Sequence, residues 1–171
     1  IDLLGTANGY EAGNANLALS EPYANDQPVL VAREDESRTL SEGLAGLRLS
    51  MVYHYLPLHE VKALYPKALI TCYPSYQNAI NAVAFDQADV FLGDTISTHY
   101  MINKGYPNSV RMANVGKQEA HGFSFAVRRD NPQLLSIIDT VLKAVPRSER
   151  ENIAKRWSAG SDLLLTDQKL Q

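Results

Sequence analysis

The 171-residue chain is 45% hydrophobic and 20% charged, the composition of a folded domain rather than of a disordered tail. Sixteen Lys and Arg against nineteen Asp and Glu give a formal charge of -3, so no net basic field exists to hold a phosphate backbone, and nucleic acid is not expected as a partner. One cysteine, Cys72, cannot close an internal disulfide, and four histidines (His54, His59, His99, His121) lack metal-ligand spacing, so neither metal nor cofactor is expected.

No apolar run approaches the ~18 residues that span a bilayer, so the segment is not expected to insert into a membrane. The chain opens on Ile1-Asp2-Leu3-Leu4, which reads as a strand without a preceding cap and suggests a piece of something longer. A polar, Gly- and Asn-rich stretch follows to Asn16, with no long helix in it. Leu17 to Tyr23 ends in a Pro turn, and Pro28-Val29-Leu30-Val31-Ala32 is a β-branched strand. It runs into Arg33-Glu34-Asp35-Glu36-Ser37-Arg38, read as a solvated turn, and a short helix is expected over Thr39 to Leu44.

From Leu47 onward strands alternate with helices. Strands are expected over 47–52, 68–73 and 88–92. Pro57 and Ser75 open the two helices between them, Pro57 because its fixed φ suits a first turn and Ser75 because its hydroxyl can cap one. Parallel strands need crossover helices, so this βαβαβ run predicts a mostly parallel sheet covered on both faces. A helix over 97–104 is expected to end at Gly105, followed by strands over 110–115 and 123–127. Asn131 and Pro132 open an amphipathic helix bearing Leu134, Leu135, Ile138, Val141, Leu142 and Val145 on one face, and Ser148 with Glu151 forms a capping-box pattern before Ile153 and Trp157.

In an open parallel sheet, ligands bind beyond the carboxyl ends of the strands. That rule selects Tyr53, His54 and Tyr55 after the first strand, Ser75 and Tyr76 after the second, and Asp94 and Thr95 after the third. Aromatic rings, hydroxyls and a carboxylate suit a small polar solute, with Asp94 facing a donor or cation. Asp94 also stands where a helix cap belongs, so capping and ligand contact are both open. No serine lies in a Gly-x-Ser-x-Gly elbow, Cys72 sits in an apolar strand, and Gly5, Gly9 and Gly13 are misspaced for a phosphate loop. No catalytic residue is expected.

Ile1-Asp2-Leu3-Leu4, Leu19-Ser20-Glu21-Pro22-Tyr23 and Pro28-Val29-Leu30-Val31 resemble the G-x-x-D, F-S-x-P-Y and l-v-v stretches of bacterial family 3 solute-binding domains, the type II periplasmic-binding or Venus flytrap fold. Gly46-Leu47-Arg48-Leu49, the span from Ala79 through Asp94, Phe123 to Val127, Asn131-Pro132 and Trp157 continue the likeness in order. Within that family, Tyr65-Pro66, Phe91-Leu92-Gly93-Asp94 followed by Tyr100, and Glu149-Arg150 to Arg156-Trp157 resemble the periplasmic sensor module of BvgS/EvgS-type hybrid histidine kinases.

The resemblance implies an α/β flytrap with its first lobe truncated at the N-terminus. Residues 1–43 would supply the C-terminal part of that lobe and the first crossing, 44–120 the second lobe, 121–160 the return with C-terminal helices, and 161–171 a linker toward a following flytrap module. It implies a periplasmic domain that binds a small polar solute, amino-acid-like ones among the candidates, between lobes and signals by closure to a kinase, with Tyr23 of the F-S-x-P-Y match joining the candidate site. Amino-acid-binding members carry an arginine shortly before that motif, and Glu11 to Ala15 contains none. The same fold also serves free solute-binding proteins of ABC transporters, some enzymes such as cyclohexadienyl dehydratase-like proteins and lytic transglycosylase lobes, and ligandless regulatory flytraps.

Overall fold

Residues 1–38, 40, 43–116 and 122–157 are described by a computed structural model, in which the chain forms two units. The larger unit is built on residues 27–116. Its strands are β4 (Pro28–Arg33), β5 (Arg48–Val52), β6 (Leu69–Tyr73), β7 (Val90–Asp94) and β8 (Val110–Val115). The smaller is built on 1–26 and 122–157, with β1 (Leu3–Ala7), β2 (Leu17–Leu19), β3 (Ala24–Asn25) and β9 (Gly122–Arg128).

The five strands of the larger unit lie in the order β6-β5-β7-β4-β8. Helices α2 (Leu58–Leu64) and α3 (Tyr76–Ala84) are the crossovers that make β5 parallel to both β6 and β7. The sheet is nevertheless mixed, not parallel throughout: β4 runs antiparallel to β7 and to β8. The chain accordingly divides after Asp26 rather than at residue 44. The reason is that Pro28 to Ala32 are all buried, with Leu30 opposite Leu92 and Val31 opposite Phe91, so the strand is stable only inside this sheet.

Side chains from both faces close the core: Leu49, Met51 and Phe91 from the sheet, Val61 from α2, Ala79, Ile80 and Val83 from α3, with Tyr55 and Tyr65 filling loop positions. Each such aliphatic or aromatic burial is worth about 1.5–3 kcal/mol. Ser50 lies in the middle of this core, where its hydroxyl donates to the carbonyl of Ala79 at 2.9 Å; it is a satisfied packing residue. Helix α4 (Thr95–Gly105) follows β7 and ends at Gly105 as expected, but its C-cap is Tyr106 rather than the glycine.

The charge run after β4 is only in part a solvated turn: Glu34, Asp35, Ser37 and Arg38 are exposed, but Arg33 and Glu36 are half-buried in an ion network with Asp89. Asp89, just before β7 and nearly buried, accepts from the Arg48 backbone N–H at 2.8 Å, from Arg48 Nε at 3.1 Å and from Arg38 Nη2 at 2.7 Å. Glu36 is gripped by Arg38 Nε and Nη2 at 2.8 and 2.7 Å, and Arg33 donates to the carbonyls of Val83 and Ala88. Hydrogen bonds from Arg38 hold the Glu36 carboxyl down at about 2, and those from Arg48, then Arg38, hold Asp89 well below the usual carboxylate range. The helix expected over Thr39 to Leu44 falls partly outside the described residues, since 39, 41 and 42 are not among them.

In the smaller unit β9 is the hub: β1, β2 and β3 all pair with it, antiparallel. Pro22 packs so closely on Gly122 that a Cβ there would stand 2.2 Å from Pro22 Cβ. Asn131 caps α5 (Pro132–Ala144), accepting from the Leu134 N–H at 3.2 Å with Pro132 in the first turn. The capping box expected at Ser148 does not form, because α6 (Arg147–Trp157) has begun by Arg147. One forms instead at Asn8 and Glu11, around the four-residue α1 (Gly9–Ala12). The linker expected over 161–171 lies outside the described residues.

Candidate functional site

Parallel pairing of β5 with β6 and β7 brings their carboxyl ends to one edge: Val52 is opposite Tyr73, and Met51 is opposite Leu92. The antiparallel β4 starts there too, with Pro28 opposite Asp94. Seven of the eight residues expected at the site therefore belong to loops or helix starts at this edge. Tyr23 does not, since it lies in the smaller unit.

The structure separates the seven by exposure. Tyr53 is 51% exposed and stacks edge-on with His54, ring centroids 5.3 Å apart, and His54 is exposed too. Tyr55 is only 2% exposed: its N–H donates to Val52 O at 3.1 Å, and the turn this closes sends the ring into the core. Ser75 and Tyr76 are half-buried. The Ser75 hydroxyl accepts the Asn78 N–H at 3.1 Å, capping α3, and the first residue of that helix is Tyr76.

Tyr76 and Asp94, 18 residues apart in sequence, meet: the phenol donates to Asp94 Oδ1, and the ring lies edge-on to Phe91 at 5.9 Å. Asp94 Oδ2 accepts the Ser97 N–H at 2.8 Å and so caps α4. Of the two roles the sequence left open, the cap is observed. Asp94 and Thr95 are both 2% exposed. Thr95 donates through its N–H and its hydroxyl to the carbonyl of Gln27, at 3.0 and 2.6 Å. Gln27 was missed by sequence reasoning, and no motif could have flagged it, because it acts through its backbone oxygen.

Tyr23 donates to Gly5 O at 2.8 Å and packs its ring on Phe125 with centroids 4.7 Å apart. It also lines a cavity of about 370 Å³ within the smaller unit, together with Pro22, Asn25, Arg147, Arg150 and Glu151. Cys72, on β6, is half-buried, and burial pushes its thiol up.

Topology and edge together define a Venus flytrap domain of the periplasmic-binding type, of which the chain holds part. No family model matches the sequence. The chain is 42% identical over 165 residues to the virulence sensor protein BvgS of Bordetella bronchiseptica, and 25% identical over 158 residues to the sensor protein EvgS of Escherichia coli O157:H7. These alignments cover 96% and 91% of the chain but 13% of each relative, so the chain spans about an eighth of their length. Among solved structures it superposes on the B. pertussis BvgS periplasmic domain with TM-score 0.78 at 40% identity, over 95% of this chain and 32% of that one. On the BvgS VFT2 domain the TM-score is 0.84 at 25% identity, over 91% and 67%.

The chain is homologous to the periplasmic sensor domains of the BvgS/EvgS histidine kinases and shares their Venus flytrap fold. The homologous domains are periplasmic, and so is this one. No helix among the described residues is long and apolar enough to cross a membrane. A T. maritima arginine-binding protein, ArgBP, superposes with TM-score 0.74 at 21% identity over 92% of this chain and 69% of that one, which speaks to fold alone.

Proposed function

We propose that this domain is a solute-sensing unit in the periplasmic region of a two-component sensor kinase. It carries no catalysis of its own; it binds a small polar solute at the strand-end edge of the larger unit. The observation that carries the reading is the 42% identity to a sensor protein along 96% of the chain, joined to an edge where Tyr53, His54, Ser75 and Tyr76 present rings and polar tips. A solute that prefers one conformational state shifts the domain toward it, and the kinase carried elsewhere in the polypeptide reads that shift.

The domain is the counterpart of a flytrap other than VFT2. The reading is supported by the identity to B. pertussis BvgS, which is 40% against the periplasmic domain and 25% against VFT2, as expected if the better-matched segment lies outside VFT2. A further flytrap module in the same polypeptide is then its partner.

Mass spectrometry of solutes carried through purification of the intact periplasmic region tests the reading, followed by calorimetric titration with whatever is found. Tyr53→Ala and Tyr76→Ala should each weaken binding on the order of tenfold, the effect of removing one aromatic wall. Unchanged affinity in both would remove the edge from consideration.

A further inference from the structure

Among the described residues, 27–28, 53–57, 74–77, 94–97 and Gly116, whose N–H donates to Pro28 O where β8 ends, form the edge, and they include no lysine, arginine or glutamate and a single carboxylate, Asp94. That carboxylate is closed off. One oxygen accepts the Ser97 N–H, the other accepts the Tyr76 phenol, and 2% of the residue is exposed. Thr95 beside it is equally buried, with N–H and hydroxyl both directed to Gln27 O. An ammonium group could reach Asp94 only by displacing Tyr76 and leaving water for a buried site in which each carboxylate oxygen already accepts one hydrogen bond, which is unfavourable.

What the described residues of the edge offer instead is the Tyr53 ring, the His54 imidazole, the half-buried Ser75 and the Tyr76 ring. We propose that Tyr76 occupies the position a cationic ligand group would take on Asp94, so that this edge selects a solute presenting an uncharged or anionic face and rejects an ammonium. The inference rests on the binding edge proposed above. On this proposal Asp94 acts through Tyr76, whose phenol its Oδ1 accepts at the start of α3, in place of a solute donor or cation.

Carboxylate labelling tests it without knowledge of the solute. The periplasmic region of the full-length protein is treated with a water-soluble carbodiimide and glycine ethyl ester, and modified peptides are quantified by mass spectrometry. Asp94 should stay unmodified under conditions that label the exposed Asp35 and Asp130. Tyr76→Phe should raise Asp94 labelling on the order of tenfold, the scale of one hydrogen bond to a charged acceptor. Putrescine at millimolar concentration should leave the wild-type melting temperature unchanged.

Asp94 labelling in the wild type at the rate of Asp130 would overturn the proposal, and so would labelling that Tyr76→Phe does not raise. A putrescine-induced rise in melting temperature that Asp94→Asn abolishes would overturn it as well. Failure of the binding edge itself is read separately, as a carried solute indifferent to Tyr53→Ala.

Discussion

The two units differ in how they hold themselves together. In the larger, every residue of β7 and five of the six in β4 are buried, and crossover helices supply apolar side chains against them. In the smaller, β1 is mostly exposed, and α5 has no fully buried residue: Leu134, Leu135, Ile138, Leu142 and Val145 of its apolar stripe are half-buried, while Val141 and, beside the stripe, Ile137 are 58% and 61% exposed. Amphipathic pattern predicts that a helix has an apolar side; it takes a partner surface to turn that side into stability.

The contrast can be broken by mutation. Phe91→Ala, at 0% exposure, should cost about 3–5 kcal/mol in urea denaturation of the periplasmic region, whereas Ile137→Ala should cost less than about 0.5 kcal/mol. Comparable losses at both positions would mean that Ile137 is as well covered as the sheet.

Next in size is Asp89→Asn, which leaves Arg38 and Arg48 without their shared carboxylate. Because both guanidiniums are partly solvated, the expected loss is about 2 kcal/mol rather than the larger cost of a fully buried pair. Gly122→Ala probes the smaller unit where it is tight, and the clash with Pro22 should cost about 1–3 kcal/mol.

The pH dependence follows from the same ion network. Glu36 titrates near 2 in the folded state against 4.5 as an unperturbed group, and Asp89 is shifted in the same direction. A depressed folded pKa gives stability that is fully present above the unfolded value and lost as pH falls through the folded one. Unfolding free energy should therefore be level above about pH 5 and decline from about 4.5 toward 2, with a shallower decline in Arg38→Ala. The smallest effect belongs to Ser148→Ala, which should fall within about 0.5 kcal/mol because Ser148 is inside α6 and caps nothing.

The sequence by itself determined the local order of the larger unit and the start of α5 in the smaller. Strand–helix alternation, the Ser75 cap, the Asn131-Pro132 opening and the strand from Val29 to Ala32 were all legible, since each depends on residues a few positions apart. It also brought seven of the eight candidate residues to one edge, because parallel β5, β6 and β7 fix where their ends lie.

Only the tertiary structure decided which sheet β4 joins, which charges are buried and which site residues face outward. Val31 meets Phe91 across 60 positions, Arg38 meets Asp89 across 51 and Tyr76 meets Asp94 across 18. A carboxylate reads the same in sequence whether it faces a solute or a neighbouring phenol. The difference is set by long-range packing, which brings one particular donor to it and shuts water out.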